Sequence, residues 1–126
     1  MTSTVRIVLA VLAGGVAGTI ANSIVVSLLL GVGFVGLATS PGRLIVAILV
    51  AALVPIIAMR LKGGAEAAAS IVALTVIPSL LAKLVFGAGA AWPFVLFVNA
   101  VYAVAAWAVY HAIAGWGRTR PISAHR

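Results

Sequence analysis

Four long stretches of apolar residues alternate with short segments rich in glycine, proline or charge. The stretches lie at about residues 5–30, 41–60, 65–84 and 93–114. A membrane-spanning helix needs about 20 mainly apolar residues, because each residue adds about 1.5 Å and the hydrocarbon core is about 30 Å thick. The pattern therefore predicts an all-α fold, a four-helix transmembrane bundle that forms a single integral membrane domain over residues 1–126.

Prolines lie at the start of the second stretch and inside the second and third stretches. Ser40 and Pro41 read as an N-cap followed by proline at the first position of the second helix. Pro55 and Pro78 fall inside the second and third stretches. Because proline lacks an N–H group and crowds the preceding turn, we expect both prolines to kink their helices.

Composition excludes a soluble fold. Hydrophobic residues make up 65% of the chain and charged residues only 7%, and the mean hydropathy is +1.33. A soluble domain carries about 25% charged residues. The absence of cysteine excludes disulfides and thiolate metal sites. The formal net charge of +7 comes from residues scattered at the ends of the stretches, which favours orientation and lipid contact over nucleic-acid binding.

The basic residues predict the orientation. One side of the membrane would hold both termini, the middle loop and most of the basic residues, namely Arg6, Arg60, Lys62, Arg118, Arg120 and Arg126. The other side would hold only Arg43 and Lys83. The positive-inside rule then places both termini in the cytoplasm, and we expect a bacterial inner membrane. Arg6, Arg60, Lys62, Arg118 and Arg120 are candidate contacts for lipid head groups. Arg43 and Arg60 flank the short second span and should snorkel outwards.

The two halves of the chain resemble each other at an offset of about 52 residues. Residues 24–29 (IVVSLL) align with residues 76–81 (VIPSLL), and Pro41 aligns with Pro93. The pattern predicts a tandem repeat of residues 11–62 and 63–114, each a helical hairpin. Because each unit has two spans, the hairpins would be parallel rather than inverted.

Small and polar residues within the spans are the candidate site. Small side chains let helices approach closely, and polar groups in hydrocarbon need partners. In the first span they share one helical face. Asn22 and Asn99 lie about 9 to 12 Å below the outer interface, together with Ser23, Ser27 and Ser79. Two interpretations stay open, which are interhelical hydrogen bonding and a small polar pocket or pore. The candidates are Gly14, Gly15, Gly18, Thr19, Asn22, Ser23, Ser27, Thr75, Ser79 and Asn99.

His111 is the only histidine within a span, and Trp107 and Tyr110 lie near it. It could ligate a haem or chlorophyll metal, relay a proton, or act as an interfacial hydrogen-bonding residue. Haem with two histidine ligands would need an oligomer, because the chain offers no second histidine in a span. We predict no dedicated cofactor beyond bound lipid.

Glu66 is the only acidic residue of the chain, and it falls in the first turn of the third helix. At that position it would interact favourably with the helix dipole and lie at the cytoplasmic loop. We therefore expect no buried carboxylate that could carry protons or sodium through the midplane of the membrane. The sequence also contains no known catalytic motif, and we expect no enzyme activity.

Two functional hypotheses remain. In the first, the protein is an accessory or scaffolding subunit of a larger membrane complex, and it presents small-residue faces to other integral membrane subunits. In the second, it is a homo-oligomeric channel or passive facilitator of a small solute, lined by polar residues such as Asn22 and Asn99. Both hypotheses involve membrane lipids, and neither involves nucleic acid.

Overall fold

Four apolar helices, long enough to cross a membrane, cover most of the chain. The computed structural model describes residues 3–85, 87 and 91–115. The first span is α1, and the fourth is α6. The second span consists of α3 and α4, and the third consists of α5 and a π-helical turn. The elements are α1 (Ser3–Leu30), α2 (Phe34–Ala38), α3 (Pro41–Ala51), α4 (Leu53–Ala58), α5 (Gly63–Leu80), the π-helical turn (Leu81–Val85) and α6 (Trp92–Ala114).

Helix α1 shows why this chain needs lipid around it. Its buried face consists of small and polar residues, with three glycines, Thr19, Asn22 and Ser23, whereas Leu12, Val16 and similar large apolar residues of the helix are exposed. In water this distribution would leave apolar surface unburied, and in a bilayer the exposed residues contact acyl chains. The protein is therefore a multi-pass membrane protein.

The four spans form a ring. Helix α1 packs most extensively against α6 and also against α3, while α5 packs against α6 and, less closely, against α4 and α3. Residues 31–40, the end of the π-helical turn and the start of α6 lie at one end of the bundle, which we call the loop end. The start of α1, residues 59–62 and the end of α6 lie at the opposite end, which we call the terminal end.

The ends of the second span follow its sequence signals. Ser40 occupies the N-cap of α3 with extended backbone and Pro41 follows it, as predicted, although the Ser40 side chain makes no capping hydrogen bond. The helix is interrupted at Ala52 between α3 and α4. The break lies beside Ala51, whose carbonyl would bond to residue 55 if that residue were not proline.

The third span departs differently from a regular α-helix. Helix α5 runs through Pro78 to Leu80, and the next five residues form the π-helical turn. π-Helical turns are rare and occur often at functional sites.

The all-helical architecture and the four-span bundle are confirmed, with span ends within about two residues of those expected from hydropathy. The tandem repeat and the orientation stay predictions. Arg118, Arg120 and Arg126 lie outside the described residues.

Candidate functional site

An arginine lies inside the bundle at the loop end. Arg43 extends from the first turn of α3 towards α1, where its Nη2 atom donates hydrogen bonds to Asn22 Oδ1 at 2.7 Å and Ser23 Oγ at 3.0 Å. Its Nε atom donates to the backbone carbonyl of Leu37 in α2 at 3.1 Å. The guanidinium thereby joins the first two spans and the loop helix between them.

This position corrects the expectation that Arg43 snorkels outwards. An arginine at the end of a span reaches the interface when lipid surrounds it, but here two polar side chains of α1 lie within hydrogen-bond distance. Hydrogen bonds to a charged donor are worth about 1.5–3 kcal/mol each, enough to hold the side chain inside. Arg60, the other flanking arginine, is exposed as expected.

Hydrogen bonds continue from Arg43 through the remaining spans. Asn22 Nδ2 donates to the Val98 carbonyl of α6 at 2.7 Å and approaches Asn99 Oδ1 at 3.4 Å. Asn99 Nδ2 donates to Ser79 Oγ of α5 at 2.9 Å, and Ser79 donates to the Thr75 carbonyl at 2.6 Å. We call Asn22, Ser23, Arg43, Ser79 and Asn99 the arginine cluster. It contains a side chain from each of the four spans, at the common depth that the sequence predicted for its Asn and Ser members.

The arginine cluster borders a half-open cavity of about 410 Å³. One part of its wall is polar and includes Asn22, Arg43, Asn99 and Ser40, the N-cap residue of α3 whose side chain makes no capping hydrogen bond. The other part is mainly apolar and is formed by Val46 and Ala47 of α3 and by Pro78, Leu81 and Ala82 of the third span. A volume of this size lies within the range of small-ligand pockets, which are mostly apolar with a few polar groups.

An apolar layer separates this cavity from the terminal end. Tyr102 closes the cavity, because its hydroxyl donates to the Ala47 carbonyl at 2.5 Å and its ring lies against Gly18. Beyond it, Val54, Leu74 and Ala106 are fully buried. The cavity is therefore a pocket at one end of the bundle.

The predicted glycine face is a packing surface within the chain. A Cβ atom at Gly14 would lie 2.9 Å from the Ala106 carbonyl oxygen of α6, and one at Gly15 would lie 2.8 Å from the Ile48 Cα atom of α3. A Cβ at Gly18 would overlap the ring of Tyr102. These three glycines thus serve close packing of α1 inside the bundle.

The remaining candidates contribute locally. Thr19 is buried and donates to the Gly15 carbonyl at 2.9 Å, and Thr75 donates to the Ile71 carbonyl at 2.7 Å. Ser27 is half-buried, and its hydroxyl has no hydrogen bond to any described residue. The structure therefore does not bring Ser27 into the arginine cluster.

A second polar cluster lies at the terminal end around Glu66. The carboxylate accepts hydrogen bonds from Ser70 Oγ at 2.8 Å and from Trp107 Nε1 at 3.1 Å, and His111 Nε2 lies 3.1 Å away. Only 6% of Glu66 is exposed. Glu66 is therefore buried rather than exposed at the loop, because a glutamate in the first turn of α5 can turn towards donors on α6 as easily as towards the loop. That no carboxylate carries ions through the midplane stays a prediction.

His111 has structural partners on several sides. Besides Glu66, it makes edge contacts with the rings of Trp107 and Tyr110 at centroid distances of 4.9 and 5.1 Å. This arrangement matches the interfacial hydrogen-bonding interpretation. Ligation of haem or pigment through Nε2 would require this nitrogen to leave Glu66, and the ligand role stays a prediction.

Sequence reasoning missed several residues of the pocket. Arg43 was interpreted only as an orienting charge, and Tyr102, Leu81 and Ala82 carried no signal. Arg43 had a detectable one, since it follows Pro41 by two residues and therefore starts only about 3 Å inside the second span, from where its long side chain can reach towards Asn22. At the terminal end, Trp107 and His111 share a helical face, which would suit a common partner such as Glu66.

Arg6 is half-buried, and its Nε atom has no hydrogen-bond partner among the described residues. Lys62 is exposed and donates to the Ala58 carbonyl at 3.4 Å. Contact of these side chains with lipid head groups stays a prediction.

Comparisons of the chain with protein-family models, with curated proteins and with solved structures give no match.

Proposed function

We propose that the protein is a non-catalytic membrane protein that binds an anionic group in the pocket beside Arg43. One observation carries this proposal. The guanidinium lies within a transmembrane bundle, and its partners Asn22, Ser23 and Leu37 are all neutral. The only carboxylate side chain of the sequence, Glu66, lies in the cluster at the terminal end, beyond the apolar layer.

A cation within a transmembrane bundle is stabilised when an anion meets it, because charged side chains in membrane segments are costly and pair with one another. The geometry leaves room for such an anion. Arg43 lines the cavity, and its Nη1 atom has no hydrogen-bond partner among the described residues. Two donors of the guanidinium are thus available on the side opposite those that hold it in place.

The test uses dodecyl phosphate as a probe and native mass spectrometry of the detergent-extracted protein. Loss of a charged hydrogen bond costs about 1.5–3 kcal/mol, so Arg43→Gln should weaken binding about 10- to 100-fold. Arg60→Gln removes the same charge from an exposed position and should bind as the parent does. Equal affinity of the parent and Arg43→Gln would refute the proposal.

The accessory-subunit hypothesis remains a second proposal, and Arg43 also supports it. An acidic side chain on another integral membrane subunit could provide the missing negative charge. The glycine face of α1 does not support this hypothesis, because Gly14, Gly15 and Gly18 pack against other helices of the same chain. Mild extraction should then recover a stable heteromeric complex that Arg43→Gln disrupts. Recovery of the protein alone would count against this hypothesis.

The channel alternative has less support. The apolar layer at Val54, Leu74 and Ala106 offers no polar route through a single bundle, so a pore would have to lie between copies of the chain. This alternative predicts a solute flux in liposomes that changes when Asn22→Leu and Asn99→Leu are combined.

We infer that both termini lie in the cytoplasm and that the membrane is a bacterial inner membrane. The inward position of Arg43 strengthens the difference in basic charge between the two ends of the bundle, because Lys83 is the only other basic residue at the loop end. The Lys83 Nζ atom lies 5.7 Å from the centroid of the Trp92 ring. Since the chain has no cysteine, single variants can report topology. In intact cells a membrane-impermeant maleimide should label Val35→Cys and spare Gly64→Cys. The reverse result would invert the orientation.

A further inference from the structure

The pocket is half-open, and an opening beside the third span fits the packing around it. Apart from α5, which it continues, no described helix packs extensively against the π-helical turn. The walls on both sides of this opening, Val46 of α3 and Leu81 and Ala82 of the turn, are all half-exposed. The turn therefore ends the tight packing of the third span at the level of the arginine cluster.

This opening has two chemically different parts. Arg43, Asn22 and Asn99 provide charge and hydrogen bonds at one side of the pocket, whereas Val46, Leu81 and Ala82 provide apolar wall at the other. A free inorganic anion would use the first part only. An amphiphile would use both, because its acyl chain can lie along the apolar wall while its head group meets Arg43.

The size of the cavity supports the same ligand class. About 410 Å³ accommodates a head group and the beginning of a chain, but not a whole lipid. The rest of the ligand's acyl chain must leave the pocket, and the walls beside the π-helical turn are partly exposed. A ligand with a long chain would therefore remain partly among the lipids while its head group is bound.

We propose that the ligand is an anionic membrane amphiphile, with a phosphate or carboxylate head group, that enters laterally between α3 and the π-helical turn. This inference rests on the proposed function at Arg43 and names its ligand and route. Under the orientation inferred above, the ligand comes from the outer leaflet.

The experiment compares dodecyl phosphate with inorganic phosphate, with the protein in phosphatidylcholine nanodiscs. The parent should bind dodecyl phosphate at least about tenfold more tightly than inorganic phosphate, because the dodecyl chain buries apolar surface that inorganic phosphate lacks. Ala82→Phe fills the opening and should weaken the binding of dodecyl phosphate about tenfold or more, a larger factor than for inorganic phosphate. Ala68→Phe adds the same ring at an exposed position of α5 and is the matched control.

Val46→Phe narrows the same opening from α3 and should have the same effect as Ala82→Phe, which guards against misfolding of either variant. Unfolding midpoints equal to that of the parent identify the variants that are folded. Full dodecyl phosphate affinity in folded Ala82→Phe and Val46→Phe would overturn the lateral route, as would equal affinities of the parent for the two phosphates. The proposed function fails separately, if Arg43→Gln has no effect on either probe.

Discussion

Replacement of Gly15 by alanine tests whether the bundle depends on close approach of α1 and α3. A Cβ atom at this position would lie 2.8 Å from Ile48 Cα and 3.0 Å from Ile48 N. Carbon atoms in contact normally lie about 3.5–4.0 Å apart, so the two helices must separate by about 1 Å. Rotation of a side chain cannot relieve the overlap, because the Ile48 atoms belong to the backbone.

The expected cost is that of overpacking, about 1–3 kcal/mol, offset by up to about 1 kcal/mol because alanine favours helix over glycine. Gly64→Ala isolates the second effect, because a Cβ atom there has nothing within 4 Å and α5 is helical at that position. Helix packing is the main source of stability within lipid, so this cost should be measurable.

The assay is unfolding in mixed micelles of increasing SDS content, followed by tryptophan fluorescence. Gly15→Ala should unfold at a lower SDS fraction than the parent, whereas Gly64→Ala should unfold at an equal or higher fraction. If Gly15→Ala were as stable as Gly64→Ala, then α1 and α3 would not approach as closely as described, and the packing argument would be refuted.

Two further predictions concern the polar clusters. Ser79→Ala removes a hydroxyl that accepts a hydrogen bond from Asn99 and donates one to the Thr75 carbonyl, and it should lower the free energy of unfolding by about 0.6 kcal/mol or more. Ser27→Ala is the control and should leave the free energy of unfolding unchanged in the same assay. Trp107→Phe keeps the aromatic bulk but removes a donor to Glu66, so it should lower the free energy of unfolding by about 1–3 kcal/mol, and a parent-like midpoint would show that this hydrogen bond is not formed.

The fold could be predicted from the sequence because its signals are local. The length of an apolar run fixes a span, and Pro41 and Trp92-Pro93 mark helix starts, so α3 and α6 begin within one residue of the expected positions. The shared depth of Asn22, Ser79 and Asn99 could also be predicted, since it follows from counting residues along straight helices.

The inward arginine could not be predicted in this way. Hydropathy places Arg43 at the end of a span, where lipid-facing arginines snorkel, and the direction it takes depends on acceptors about 20 residues away in α1. Glu66 presents the same problem, because its donors on α6 are distant in sequence. The π-helical turn has no sequence signature beyond the nearby Pro78, and so the opening beside Ala82 emerged only from the structure.

The central claim is that an anion meets the Arg43 guanidinium inside the bundle. Solid-state NMR measures this directly, through dipolar dephasing between the phosphorus of bound dodecyl phosphate and arginine carbons labelled at Cζ. A charge-assisted hydrogen bond predicts a phosphorus-to-Cζ distance of about 4 Å and strong dephasing in the parent, lost in Arg43→Gln but kept in Arg60→Gln. Dephasing in the parent no greater than in Arg43→Gln would contradict the claim, because the head group would then lie away from Arg43.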